Sequence, residues 1–286
     1  MTLGASITPL PAVLVEAFGD GPCCGNGAAV VRLDQPMGDG ALQAIARSLN
    51  QSETAFLLQH KGRWCLRWFT PTCEVPLCGH ATLAALLALG HWNLLGPGQE
   101  LALLTRSGPL PVVLQADGMA GSLVLPSAGL EPAEPSPPLI RLLHGQLGVS
   151  PTCYWTSALG YRVALLPASA PLQAMAGLAS HLQGPDRAGL VLMQTLEGEL
   201  SGERPTVLGL PADYQLRFFA PGLGINEDPV TGSAHALVAP FWLERLGRSA
   251  VGGWQCSPRP GGMLCERASS GMIRLSGSGH LLWNGT

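Results

Sequence analysis

Two short strings of this chain place a glycine and a polar side chain directly before an apolar run. Gly79-His80 precedes Ala81-Thr82-Leu83-Ala84-Ala85-Leu86, and Gly232-Ser233 precedes Ala234-His235-Ala236-Leu237-Val238-Ala239. Where a helix begins, the first backbone N–H groups lack partners and carry partial positive charge, a natural seat for a carboxylate or phosphate. Glycine lets a ligand come close to the backbone, and His80 and Ser233 can add side-chain hydrogen bonds. Two such starts facing each other would hold one small anion from both sides. A single copy reads more readily as an ordinary helix cap; the second copy favours binding. An acid or base is then required. Ser52-Glu53-Thr54 offers one at the entrance to an apolar strand, where partial desolvation would raise the Glu53 pKa toward neutrality and suit it to moving protons. Taken alone, the same triplet reads more readily as a solvated turn.

The strings belong to a longer repeat. Leu66-Arg67-Trp68-Phe69-Thr70-Pro71 returns 150 positions later as Leu216-Arg217-Phe218-Phe219-Ala220-Pro221, and each copy passes through an acidic residue (Glu74; Glu227-Asp228) before its Gly-polar step. A period near half the chain length is too long for a stacked solenoid and suits duplication of one lobe, with the site between the copies. At 286 residues and 47% apolar, the chain can fill two ordinary cores. A net charge of -3 on 12% charged residues leaves no electrostatic footprint for nucleic acid or an anionic membrane. No apolar run reaches the roughly 18 residues of a membrane span. The early sequence lacks a cationic-then-apolar secretion signal, which places the protein in the cytoplasm. Eight cysteines without the two-residue spacing of zinc ligands read as reduced thiols, so no metal or other cofactor is expected.

Alternating and β-branched runs predict strands at Ala12 to Phe18, Ala28 to Leu33, Ala55 to His60, Arg63 to Phe69, Leu101 to Thr105, Leu110 to Leu114 and Ser122 to Leu125. Gly40 to Leu49 has helical spacing, and Gly79 to Leu89 is apolar on every face, as expected of a helix enclosed by protein. The proline-rich stretch from Pro126 to Pro138 reads as a linker, giving an N-terminal lobe over 1–125, a linker over 126–138 and a C-terminal lobe over 139–286 whose last strand is free to return to the first. The second lobe repeats the plan: a helix at Leu139 to Leu147, strands at Cys153 to Thr156, Arg162 to Leu166, Gly189 to Gln194 and Gln215 to Phe219, an apolar helix from Ser233, and strands at Met263 to Glu266, Met272 to Ser276 and His280 to Asn284. Pro240 should kink or break the second apolar helix, since the missing N–H and ring clash cost about 3 kcal/mol.

Asn50 to Phe56, Leu66 to Pro71, Glu74-Val75-Pro76-Leu77-Cys78-Gly79-His80-Ala81-Thr82-Leu83-Ala84, and Phe219-Ala220-Pro221 with Glu227-Asp228-Pro229-Val230-Thr231-Gly232-Ser233-Ala234-His235 resemble the signature blocks of the phenazine-biosynthesis PhzF-like family. Gly25 to Val30 and Gln255 to Gly262 resemble its outer blocks. The resemblance implies a diaminopimelate epimerase-like α/β (α+β) fold: two pseudo-symmetric lobes, each a curved mixed sheet around a central buried helix, commonly paired as a homodimer. It further implies a cofactor-independent isomerase or epimerase moving a proton on a small carboxylated metabolite. Glu53 would be the proton shuttle, His80 and Asp228 would relay or orient protons, and Gly79, His80, Asp228, Gly232 and Ser233 would hold the substrate. Relatives that racemise α-carbons carry a cysteine at each helix head; here Cys78 fills the first position and Asp228-Pro229 falls at the second, which argues against a two-thiol racemase. Cys24-Gly25-Asn26-Gly27 reads as a turn. Glu16, where an Asp is usual, and Pro260, which interrupts the usual Arg-Gly-Gly, bear on loop geometry. A non-catalytic metabolite-binding or protein-interaction role is the alternative. A metal hydrolase built on Cys78, His80 and His235 is disfavoured, because His235 fits a hydrogen-bonded core position and Cys78 a small apolar filler.

Overall fold

The computed structural model describes residues 9–196 and 203–285. The first half runs β1 (Ala12–Ala17), β2 (Asn26–Leu33), α1 (Asp39–Leu49), β3 (Glu53–His60), β4 (Arg63–Phe69), β5 (Glu74–Val75), α2 (Gly79–His91), β6 (Glu100–Thr105), β7 (Gly108–Leu114) and β8 (Ala120–Pro126). Then follow β9 (Leu130–Pro132), α3 (Pro137–Leu147), β10 (Cys153–Ser157), β11 (Arg162–Leu165) and β12 (Leu190–Thr195). A small hairpin, β13 (Thr206–Val207) and β14 (Leu210–Pro211), precedes β15 (Tyr214–Ala220), β16 (Ile225–Asp228), α4 (Gly232–Leu246), β17 (Ala250–Gln255), β18 (Gly261–Arg267) and β19 (Met272–Gly285). The expected mixed α/β class is what the chain adopts.

Strand pairing repeats between the halves. In the first, β1–β2 is antiparallel, β2–β3 parallel, β3–β4 antiparallel, β4–β6 parallel, and β6–β7–β8 antiparallel. In the second, β10–β11, β11–β12, β12–β15, β15–β17 and β17–β18–β19 follow the same alternation. The halves are stitched by β19: Met272 to Ser278 pair with β8, Ile273 to Ser276 also pair with β18, and Gly279 to Gly285 pair with β1. Two separate strands were expected over β19; a single strand forms because Gly277 and Gly279 stay extended where glycine suggested a turn. A Cβ at Gly277 would lie 2.4 Å from the Phe18 ring, so the strand needs glycine for close approach.

Every α2 side chain from His80 to Leu89 is buried, because β1, β2, β3, β7 and β8 enclose it. The fourth helix, α4, packs on β17, β18, β19 and β8. It runs to Leu246 with Pro240 inside, so the helix is not broken at the proline; packing on both sides outweighs the lost bond. Strand β17 escaped the sequence reading because Gly252-Gly253 resembles a turn. Both glycines serve packing: a Cβ at Gly253 would meet Tyr214 Oη at 2.4 Å and His235 Nδ1 at 2.5 Å. The proline-rich 126–138 segment carries β9, which pairs with β10, and the Ser136 cap of α3, so it is more structured than its composition suggested.

Candidate active site

The starts of α2 and α4 meet. A Cβ built on Gly79 would lie 3.5 Å from Gly232 Cα, which leaves glycine as the residue that lets the two helix starts approach so closely. Neither helix has a side-chain cap on its N-terminus: Cys78 and Thr231 occupy the cap positions without a capping hydrogen bond. A side-chain cap therefore does not account for the two Gly-polar strings, although the Ala81 N–H is directed at the Cys78 sulfur. Gly79, Asp228 and Ser233 remain partly exposed beside the two helix starts.

Glu53 is the first residue of β3. Antiparallel pairing with β4 and parallel pairing with β2 put it at the entrance expected from sequence, and it is buried. Its Oε2 is sealed from solvent and lies 3.0 Å from His80 Nε2. His80, in the first turn of α2, is also buried; Cys78 Sγ sits 3.6 Å from its Nδ1 and 3.9 Å from its Nε2. The pKa of Glu53 departs from expectation. Burial pushes it up, but the charge of His80 and hydrogen bonds from His80 and Ser52 outweigh burial and hold the carboxyl below its ordinary value. His80 is displaced the opposite way: burial pulls it down, but Cys78 and Glu53 together lift it well above the ordinary histidine value. The pair favours carboxylate and imidazolium. The sequence argument counted desolvation and had no means of counting a histidine 27 positions away.

Asp228, the last residue of β16, joins this pair through Asn26. The Asn26 amide Nδ2 donates to Asp228 Oδ1 at 2.7 Å and to Val230 O at 3.1 Å, and lies 3.2 Å from His80 Nδ1. Thr231 Oγ1 donates to Asp228 Oδ2 at 2.5 Å, while Gln255 fixes the turn by accepting from Thr231 N–H at 2.8 Å and donating to Asp228 O at 2.5 Å. Burial raises the Asp228 pKa, against the lowering effects of His80, Thr231 and Asn26 and with help from Glu53. Two carboxyls thus share a site with their pKa values pushed apart, a mark of separate acid and base roles. Ser233 lies close to Tyr161, Oγ to Oη 3.2 Å. The Tyr161 ring packs on Phe218, centroids 4.8 Å apart, and burial raises its phenol, which stays a neutral hydroxyl.

The structure brings together all six residues picked out from sequence, Glu53, Gly79, His80, Asp228, Gly232 and Ser233. Sequence reasoning missed Asn26, Ser52 as a partner, Thr231 and Tyr161. Asn26 was assigned to a turn; the turn ends at Cys23 to Gly25, where Gly25 has φ 82° and a Cβ would strike Ala17 O at 2.4 Å, and Asn26 begins β2. Ser52 Oγ donates to Gly27 O at 2.9 Å and is 3.3 Å from His80 Nε2. Adjacency to Glu53 was the available signal for Ser52; Tyr161 left none. His235 takes the core position expected of it, 2.9 Å from Tyr214 Oη, with burial depressing its pKa to about 3.

The phenazine biosynthesis-like PhzC-PhzF family matches residues 15–135 and 194–283. An uncharacterized isomerase of Pseudomonas aeruginosa is 38% identical over 275 residues, covering 92% of this chain and 97% of the relative. The human phenazine biosynthesis-like domain-containing protein is 33% identical, with 97% of this chain and 98% of that protein covered. A solved PhzF-family structure from Enterococcus faecalis superposes with a TM-score of 0.82 at 29% identity, covering 97% of this chain and 98% of that one. Among the described residues no helix is long and apolar enough to cross a membrane. Matched blocks, near-complete coverage and shared architecture together make the chain a member of the phenazine biosynthesis-like PhzC-PhzF family.

Proposed function

We propose that the protein is a cofactor-independent isomerase that moves a proton on a small carboxylated metabolite. The observation that carries this reading is the buried Glu53–His80 pair, 3.0 Å apart beside two uncapped helix starts. An isomerase-type role is also supported by the name of the Pseudomonas relative.

In this reading the substrate carboxylate takes hydrogen bonds from the first-turn N–H groups of α2 and α4, with Ser233 adding its hydroxyl. Glu53, held ionised by His80, removes a proton from the substrate carbon; the electron pair left behind delocalises toward the carboxylate, where the helix N–H groups stabilise it. The protonated Glu53 returns the proton at the same or another carbon; alternatively Asp228, whose pKa is raised by burial, supplies one, and Glu53 then releases its proton to solvent and Asp228 takes one up before the next turnover. His80 retains its charge throughout and orients the Glu53 carboxylate. Family resemblance supports a homodimer in the cytoplasm as the working unit.

Incubation in D₂O with a panel of small unsaturated and amino carboxylic acids tests the reading. Deuterium should enter one substrate carbon with wild type, and Glu53→Gln should lose about 10²- to 10⁴-fold in rate while staying folded. A Glu53→Gln protein that exchanges as fast as wild type would sink the mechanism.

A further inference from the structure

We infer that Glu53, Cys78 and His80 form a binding site for a thiophilic divalent cation of the zinc class. Their ligand atoms all lie within 4.8 Å of one another, and all three residues are buried. His80 Nε2 is 3.0 Å from Glu53 Oε2 and 3.9 Å from Cys78 Sγ. Around a tetrahedral zinc with bonds of roughly 2.0 Å to N and O and 2.3 Å to S, the corresponding ligand separations are roughly 3.3 and 3.6 Å. The third separation, Glu53 to Cys78, is within 4.8 Å, so side-chain shifts of about 1 Å would bring all three atoms to bonding distance of one ion.

A second observation points the same way. Glu53 Oε2 is sealed from solvent, with His80 Nε2 as its neighbour at 3.0 Å, so a carboxylate oxygen cut off from water faces the cluster, where a metal cation can replace the His80 proton as its partner. The donor set selects the ion. A thiolate with an imidazole prefers zinc or another late transition metal, whereas magnesium and calcium call for oxygen ligands. Ser52, exposed and 3.3 Å from His80 Nε2, marks the solvent side of the cluster. His235, the other histidine near a helix start, is not part of the cluster. An ion here occupies the carboxylate and imidazole of the proposed acid–base pair, so it would silence isomerisation. That consequence rests on the isomerase reading; the binding itself does not.

Co²⁺ titration of the metal-free protein, followed by absorbance, tests the site without any substrate. One Co²⁺ per chain should bind with a thiolate-to-cobalt charge-transfer band and tetrahedral ligand-field bands, one equivalent of Zn²⁺ should displace it, and Mg²⁺ should not. Cys78→Ser should lose the charge-transfer band, and Glu53→Gln should weaken binding by at least about tenfold, the scale on which even outer-shell changes act. Absence of a charge-transfer band in wild type, its survival in Cys78→Ser, or an unchanged affinity in Glu53→Gln would each overturn the assignment. Far-ultraviolet circular dichroism checks that both variants fold; if Cys78→Ser does not, the Glu53→Gln affinity decides. A protein that binds Co²⁺ as described yet exchanges no deuterium with any acid would retain the metal site and lose the isomerase reading.

Discussion

The two copies of the repeat align residue for residue through the turn that leads into each buried helix: Glu74-Val75-Pro76-Leu77-Cys78-Gly79-His80 against Glu227-Asp228-Pro229-Val230-Thr231-Gly232-Ser233. The frame is common to both. Arg67 grips Glu74 through two 2.7 Å bonds, and Arg217 grips Glu227 through bonds of 2.7 and 2.6 Å; each guanidinium also lies over the Phe two positions on, Phe69 or Phe219. Each glycine admits the other helix start. The proposed chemistry sits where the copies differ. Val75 is matched by Asp228, and His80 by Ser233; Cys78 is matched by Thr231, the other N-cap, and not by Asp228-Pro229 as the sequence reading placed it. Phe69 faces Thr54 and Phe219 faces Leu190, so the counterpart of Glu53 is Gly189. There a Cβ would lie 2.5 Å from the Tyr161 ring. One side thus presents a carboxylate on a histidine, the other a phenol on a serine. The frame repeats between the halves, and the four positions at which it differs give the proposed site its direction.

The largest effects should separate the two sides by activity. Against the loss of about 10²- to 10⁴-fold expected for Glu53→Gln, Tyr161→Phe removes one neutral hydrogen bond and should lower turnover only about fivefold. Equal losses measured on the same substrate would show that the sides act symmetrically.

Two histidines extend the comparison to pH. His235 has a folded-state pKa depressed to about 3 by burial. Its contribution is present above the ordinary histidine pKa near 6.5 and is lost as pH falls toward 3, on the order of 4 to 5 kcal/mol. His80 is raised, so its contribution is complete below about 6.5 and disappears as pH climbs through its elevated folded value. Urea melts across pH should show His235→Gln flattening the acid limb and His80→Gln the alkaline limb. A shared limb for both variants would contradict the assignment.

Smaller differences should appear in the frame itself. Arg217 is 4% exposed and also donates to Leu172 O and Met175 O, whereas Arg67 is 27% exposed and shares its ion pair with Asp39. Glu227→Gln leaves a buried guanidinium uncompensated and should cost about 3 kcal/mol, while Glu74→Gln should cost about 1 kcal/mol. Chemical denaturation of both variants reads the difference, and reversal of their order would mean that burial does not set the worth of the pair.

Much of this was legible in the chain. The apolar periodicity of Gly79 to Leu89 required an enclosed helix, since no other environment accepts apolar side chains on every face. The Gly-polar strings marked the helix starts because backbone geometry there depends on local residues. Glu53 was locatable for the same reason, at the junction of α1 and β3. What the sequence did not contain were quantities summed across the fold. The Glu53 pKa turned on His80, the Asp228 position on Asn26 some 202 residues earlier, and the glycines of β17 on a tyrosine and a histidine from other elements. Local sequence determined which backbone could start a helix and which faces had to be buried; tertiary structure decided the electrostatics, because Coulomb and desolvation energies depend on distances that only the folded chain sets.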